Sequence, residues 1–160
     1  MNSAVNKASK GSAITIKATA SNSVFFPVDG IAAAAANGDD ILIDLRHGEI
    51  TLSAQVIAGL TDGLSSSSKI KVSLASLTSS KNDAIANLLN LGAAVFDVSV
   101  EVDGQSVHSF DGTLDISFTV PNLSKISDPQ ILHILTAGTK EYSAPDPMRG
   151  NTVPLQTTRI

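Results

Sequence analysis

The chain contains no cysteine and no tryptophan. Without cysteine there is no disulfide framework, no thiolate zinc site and no cysteine nucleophile; the compartment stays open, because exported bacterial proteins often lack the residue too. Aromatic residues are scarce, one Tyr and five Phe, or 4% of 160 residues, so the 42% hydrophobic content is mostly Ala, Val, Ile and Leu. That composition fills a core and offers little for recognition. Charged residues make up 16%, below the roughly 25% of an average soluble domain, and Ser, Thr and Asn supply the missing surface. Eleven Lys and Arg against fifteen Asp and Glu leave a net charge of -4, which lacks the basic footprint of a nucleic-acid or anionic-lipid binder. No run approaches the ~20 apolar residues that span a bilayer, and residues 1–7 have no apolar signal core. The expected partners therefore exclude nucleic acid and membrane insertion.

What is present reads as strands and short helices. Residues 1–11 are small and polar and predict a flexible lead-in, with one β-rich domain over 12–160. Ile14 and Ile16 alternate with Thr15 and Lys17, as a half-buried strand requires. Val24, Phe25 and Phe26 end at Pro27, which favours an edge. Asp29 is placed to cap an alanine-rich helix over 30–36, stopped by Asn37-Gly38. Residues 41–45 and 49–52 flank His47-Gly48 as a hairpin, and Ser53 caps a second helix carrying Val56, Ile57 and Leu60 on one face. Residues 26–39 and 52–64 repeat the same order of strand end, cap, short helix and Gly turn, at an offset of about 26 residues, a weak internal duplication.

Farther on, Ile70, Val72 and Leu74 alternate inward after a serine bend. The run 81–91, with a Ser80-x-x-Asp83 capping pattern and Ile85, Leu88 and Leu89 on one side, predicts the best helix of the chain. Residues 95–102, 105–108 and 113–120 predict a meander with turns at Asp103-Gly104 and Asp111-Gly112. Residues 131–135 read as a further strand and 152–158 as a last, weaker one with Pro154 on an edge. Ala144-Pro145-Asp146-Pro147 between them reads as a loop.

Chemistry-bearing patterns are few. His47, His108 and His133 are the side chains that titrate near neutrality, and none sits in a spacing that puts ligands on one face, so surface or structural roles are the simpler reading. No Gly-x-Ser-x-Gly elbow, phosphate-binding Gly loop or dinucleotide turn occurs. The expectation is a protein that is not an enzyme and needs no cofactor. Asp39 with Asp40, Asp103, and Asp111 with Asp115 offer oxygen ligands of the kind calcium accepts, but Asp before Gly is first a turn signal. Sugar rings stack on exposed aromatic faces. Phe25 and Phe26 must point to opposite faces of their strand, which leaves room for one of them to be exposed, and Tyr142 is the foremost candidate platform; Phe96, Phe110 and Phe118 read as core. Asn122-Leu123-Ser124 is formally a glycosylation sequon.

Three stretches carry a resemblance. Glu49-Ile50-Thr51-Leu52-Ser53-Ala54-Gln55-Val56-Ile57, the run 94–104 ending in Val102-Asp103-Gly104, and the run 110–121 opening Phe110-Asp111-Gly112-Thr113-Leu114 together resemble a β-rich module recurring in large, modular surface proteins of Gram-positive bacteria. Those proteins often also carry S-layer-homology anchors or carbohydrate-active domains. The resemblance covers roughly residues 12–135 and brings no functional residue with it. It implies an exported, non-catalytic module at the cell surface or outside the cell, whose partners are neighbouring domains or other envelope proteins. The combined expectation is an α+β, mainly β fold: an antiparallel β-sandwich with two or three short covering helices. The alternative function is a carbohydrate-binding module, with polysaccharide as partner and Tyr142 and Phe25 as its platform.

Overall fold

The computed structural model describes residues 13–120, 131–134, 140–143 and 152–160. The predicted lead-in 1–11, the Asn122 sequon and the loop 144–147 lie outside the described residues. The fold is α+β and mainly β. One sheet holds five strands in the order β1 (Ala13–Ala18), β3 (Asp40–Leu45), β4 (Gly48–Leu52), β8 (Ser109–Thr119) and β11 (Thr152–Arg159). A second holds β2 (Ser23–Pro27), β5 (Lys69–Leu77), β6 (Val95–Val102) and β7 (Gln105–Val107). A separate pair joins β9 (Ile131–Ile134) to β10 (Lys140–Ser143). Pairing is antiparallel except between β1 and β3, which run parallel, a departure from the all-antiparallel expectation. Pro27 and Pro154 both sit on edge strands, where a missing N–H costs no ladder bond.

The alternation read from the sequence is the alternation that builds the core. Ile41, Ile43 and Leu45, Ile50 and Leu52, and Leu114 and Ile116 from the larger sheet meet Phe26, Ile70, Val72, Leu74 and Val100 from the smaller one in a single buried cluster. Three helices complete the described fold: α1 (Val28–Ala36), α2 (Ala54–Thr61) and α3 (Asp83–Asn90).

The duplication is structural. Strand β2 runs through α1 into β3, and β4 runs through α2 into β5, so each unit carries the chain from one sheet to the other. The registers correspond: Phe26 faces Ile70 as Leu52 faces Ile41, and Val24 faces Val72 as Ile50 faces Ile43. Ile31 of α1 and Ile57 of α2 occupy equivalent buried positions. Helix α1 joins the end of β2 to the start of β3, α2 joins the end of β4 to the start of β5, and the two pack side by side at one end of the two-layered core.

Helix α2 begins as predicted. The Ser53 hydroxyl accepts from the Val56 N–H at 3.2 Å, and the Asp40 carboxylate adds a bond from the Ala54 N–H at 2.9 Å, so two of the orphan donors of this helix start are satisfied. Other local expectations fail for identifiable reasons. Asp29 is not the cap of α1: the helix starts two residues earlier than expected, at Val28 after Pro27, whose fixed φ suits a helix entry, and Asp29 lies in the first turn. Asn82, not Ser80, caps α3, accepting from Ala84 N–H and Ile85 N–H, while Ser80 accepts from Asn82 N–H. Helix α3 is amphipathic yet has no fully buried residue, and Leu91 after it is 84% exposed. The meander also breaks. The turn at Asp103-Gly104 forms, with φ of 49° and 82°, but Asp111-Gly112 lies inside β8, and β8 pairs with β4 and β11, not with β7. Gly112 sits where β8 approaches α2: a Cβ there would stand 3.1 Å from Val56 Cγ2 and 3.2 Å from Ser53 Oγ, so those side chains would have to give by a few tenths of an ångström. The glycine read as a turn former lies in a strand beside α2.

Candidate functional site

The residues singled out in the sequence scatter. Phe26 is buried and Phe25 is 63% exposed on the edge strand β2. Lys71 Nζ stands 5.7 Å from the centre of the Phe25 ring and 4.0 Å from Glu101 Oε2. Phe25, Lys71, Glu101 and Ser106 form one row across the four strands of the smaller sheet. Tyr142 pairs with Leu132 in the separate two-stranded sheet; its side chain, like that of His133, lies outside the described residues. Phe96 and Phe118 stack at 4.9 Å between ring centres, and these two and Phe110 pack against the core as expected. His47 occupies the β3–β4 turn, and His108 lies at the corner where the chain leaves β7 for β8.

The carboxylates considered as ligands have structural tasks or stand apart. Asp39 is buried and accepts from Asn37 Nδ2 at 2.6 Å, and Asp40 caps α2. Asp103 accepts from the Lys69 N–H at 2.9 Å. Among the described residues no group of three or more His, Asp or Glu side chains is gathered as a metal would need.

The hydrogen bonds from Lys69 N–H and from Ser68 hold the Asp103 carboxyl below its ordinary value. A lowered folded-state value means stability that is present above the unfolded carboxyl range, about 3.9, and is lost as pH falls through the folded value. Asp103→Asn keeps a residue suited to positive φ, so the stability gap between it and the native protein should close between neutral pH and acid. Urea unfolding across that range measures it; a gap that widens in acid contradicts the assignment.

One concavity was not visible in the sequence. A cavity of about 280 Å³ opens between α2, the end of β6, β7 and the start of β8. Val56, Leu60, Leu64, Val102, Val107 and Phe110 line it, and Gly59, Ser109 and Asp111 stand with them. It exists because the chain changes sheets at His108, so β7 and the first residues of β8 splay around a space that α2 only partly fills. Gln55 Nε2 donates to the Asp111 carbonyl and ties α2 to β8 beside this opening. A Cβ at Gly59 would stand 2.9 Å from Asp111 Oδ2, so the glycine gives the carboxylate its room.

No family model, curated protein or solved structure matches the chain.

Proposed function

We propose that this is a non-catalytic structural or protein-interaction module of an exported, modular cell-surface protein. The observation that supports this reading is where the large side chains go. Ile31, Ile41, Ile43, Ile50, Leu52, Ile57, Ile70, Leu74, Leu114 and Ile116 are fully buried in one aliphatic core, while the intervening strand positions turn Ser, Thr, Lys, Asp and Glu outward. Such a chain invests its sequence in a stable body with a polar coat, as a spacer or display unit in an envelope protein requires. The resemblance to Gram-positive surface modules points the same way. The test is accessibility in the producing cell. A membrane-impermeant amine reagent applied to intact cells should label Lys17, Lys69 and Lys71 while a cytoplasmic control protein stays unlabelled; labelling of these lysines only after lysis overturns the reading.

A second reading, a carbohydrate-binding module, is favoured by the exposed Phe25 ring with a charged pair beside it. Stacking on an aromatic ring is worth about 0.5–1.5 kcal/mol between aromatic groups, and on that scale Phe25→Ala should weaken retention on an insoluble polysaccharide by about two- to tenfold. Equal retention of native and Phe25→Ala protein removes this reading.

A further inference from the structure

The cleft between α2, β7 and β8 has two properties that together describe its occupant. Its walls are aliphatic and aromatic: Val56, Leu60, Val102, Val107 and Phe110. Its volume, about 280 Å³, lies at the lower end of ligand-sized cavities and is suited to one large side chain. Its mouth is negative. The Asp111 carboxylate, on an exposed residue, has no hydrogen bond or ion pair among the described residues, and it faces Gly59 in the second half of α2. That helix ends with no basic residue in its last turn, and Asp62 stands at its C-cap. A carboxylate beside the negative end of a helix dipole is unfavourable until a cation arrives. An apolar pocket under an uncompensated negative rim selects a ligand that is apolar at its tip and cationic beside it.

We propose that this cleft receives one aromatic or large aliphatic side chain from an extended segment of a partner protein, with a neighbouring lysine or arginine held at Asp111. The proposal deepens the interaction-module reading and rests on it. The apolar anchor supplies most of the affinity, because burial of an aromatic side chain outweighs an exposed ion pair. The ion pair supplies the preference between sequences. A protein segment fits better than a free metabolite because the described mouth offers a single charge and few polar groups, enough for a side chain whose orientation its own backbone provides.

The probe is N-acetyl-Phe-Lys-amide, added to the full chain and followed by backbone amide shifts in nitrogen-15 NMR up to about 10 mM, as such small ligands bind weakly. Shifts should map to Val56, Gly59, Val107, Phe110 and Asp111. Replacing Phe by Ala in the probe should cost about tenfold in affinity, and replacing Lys by Glu about threefold or more. Asp111→Asn, at an exposed position, should keep the fold by circular dichroism and abolish the preference for Lys over Glu. Absence of shifts, shifts mapping elsewhere, or equal binding of the Lys and Glu probes each overturns the proposal. Cell-surface labelling of Lys17, Lys69 and Lys71 is unaffected by those outcomes, so failure here is distinct from failure of the surface-module reading.

Discussion

Gly48→Ala should lower the melting temperature by about 10 °C or more, an effect of roughly 3–5 kcal/mol. Gly48 opens β4 with φ of 150°, and a Cβ there would stand 2.0 Å from the Ser117 carbonyl oxygen and 3.1 Å from Leu74 Cδ2. The colliding atom is backbone, and Ser117 lies in β8, whose pairing with β4 holds the centre of the larger sheet. Relief requires separating two strands, since a peptide carbonyl has no alternative rotamer. Gly63→Ala is the matched control: φ is 71°, but nothing lies within 4 Å of the added carbon, so only left-handed strain of about 1–2 kcal/mol remains. Calorimetry of both variants separates collision from strain. Melting temperatures of the two within about 3 °C of each other would show that the approach of β4 to β8 is not the constraint.

The second large effect comes from the duplicated units. Ile31→Ala and Ile57→Ala should each cost about 2–5 kcal/mol, the range for emptying a fully buried aliphatic site, and the two costs should agree within about 1 kcal/mol. Both residues are fully buried, each sits on the inner face of a short helix joining the two sheets, and the strand pairs they cover share one register pattern. Urea midpoints with unchanged slopes report this cleanly. A large inequality would mean that the repetition is one of outline, with the packing of the two helices having diverged.

Much of this architecture was legible because it depends on short-range pattern. Ile70, Val72 and Leu74 alternate and are buried; Ser53 precedes an apolar helix face and caps it; Pro27 ends an edge strand. The failures have a common cause in partners that only the fold supplies. Asp111-Gly112 carries the local chemistry of a turn, yet the close approach of Val56 and Ser53 gives that glycine another purpose. Asn82 takes the cap two residues after Ser80, a shift that a capping pattern does not resolve. The periodicity of Ile85, Leu88 and Leu89 showed that α3 has an apolar side, but periodicity does not say what covers it. The cleft was least legible of all. Val56 and Leu60 read as core and are buried in it, but aliphatic spacing does not show that the same residues also wall an opening.

The strand directions of the larger sheet bring the start of β1 and the end of β11 to one side of the fold. In the larger sheet the row Ile14, Ile41, Leu52, Leu114 and Thr157 runs from one edge to the other. Strand β1 departs from that row on one edge, and β11 returns to it and continues past it on the opposite edge. Ala13 and Ile160 thus lie at the same end of the larger sheet, roughly 19 Å apart across four strand spacings.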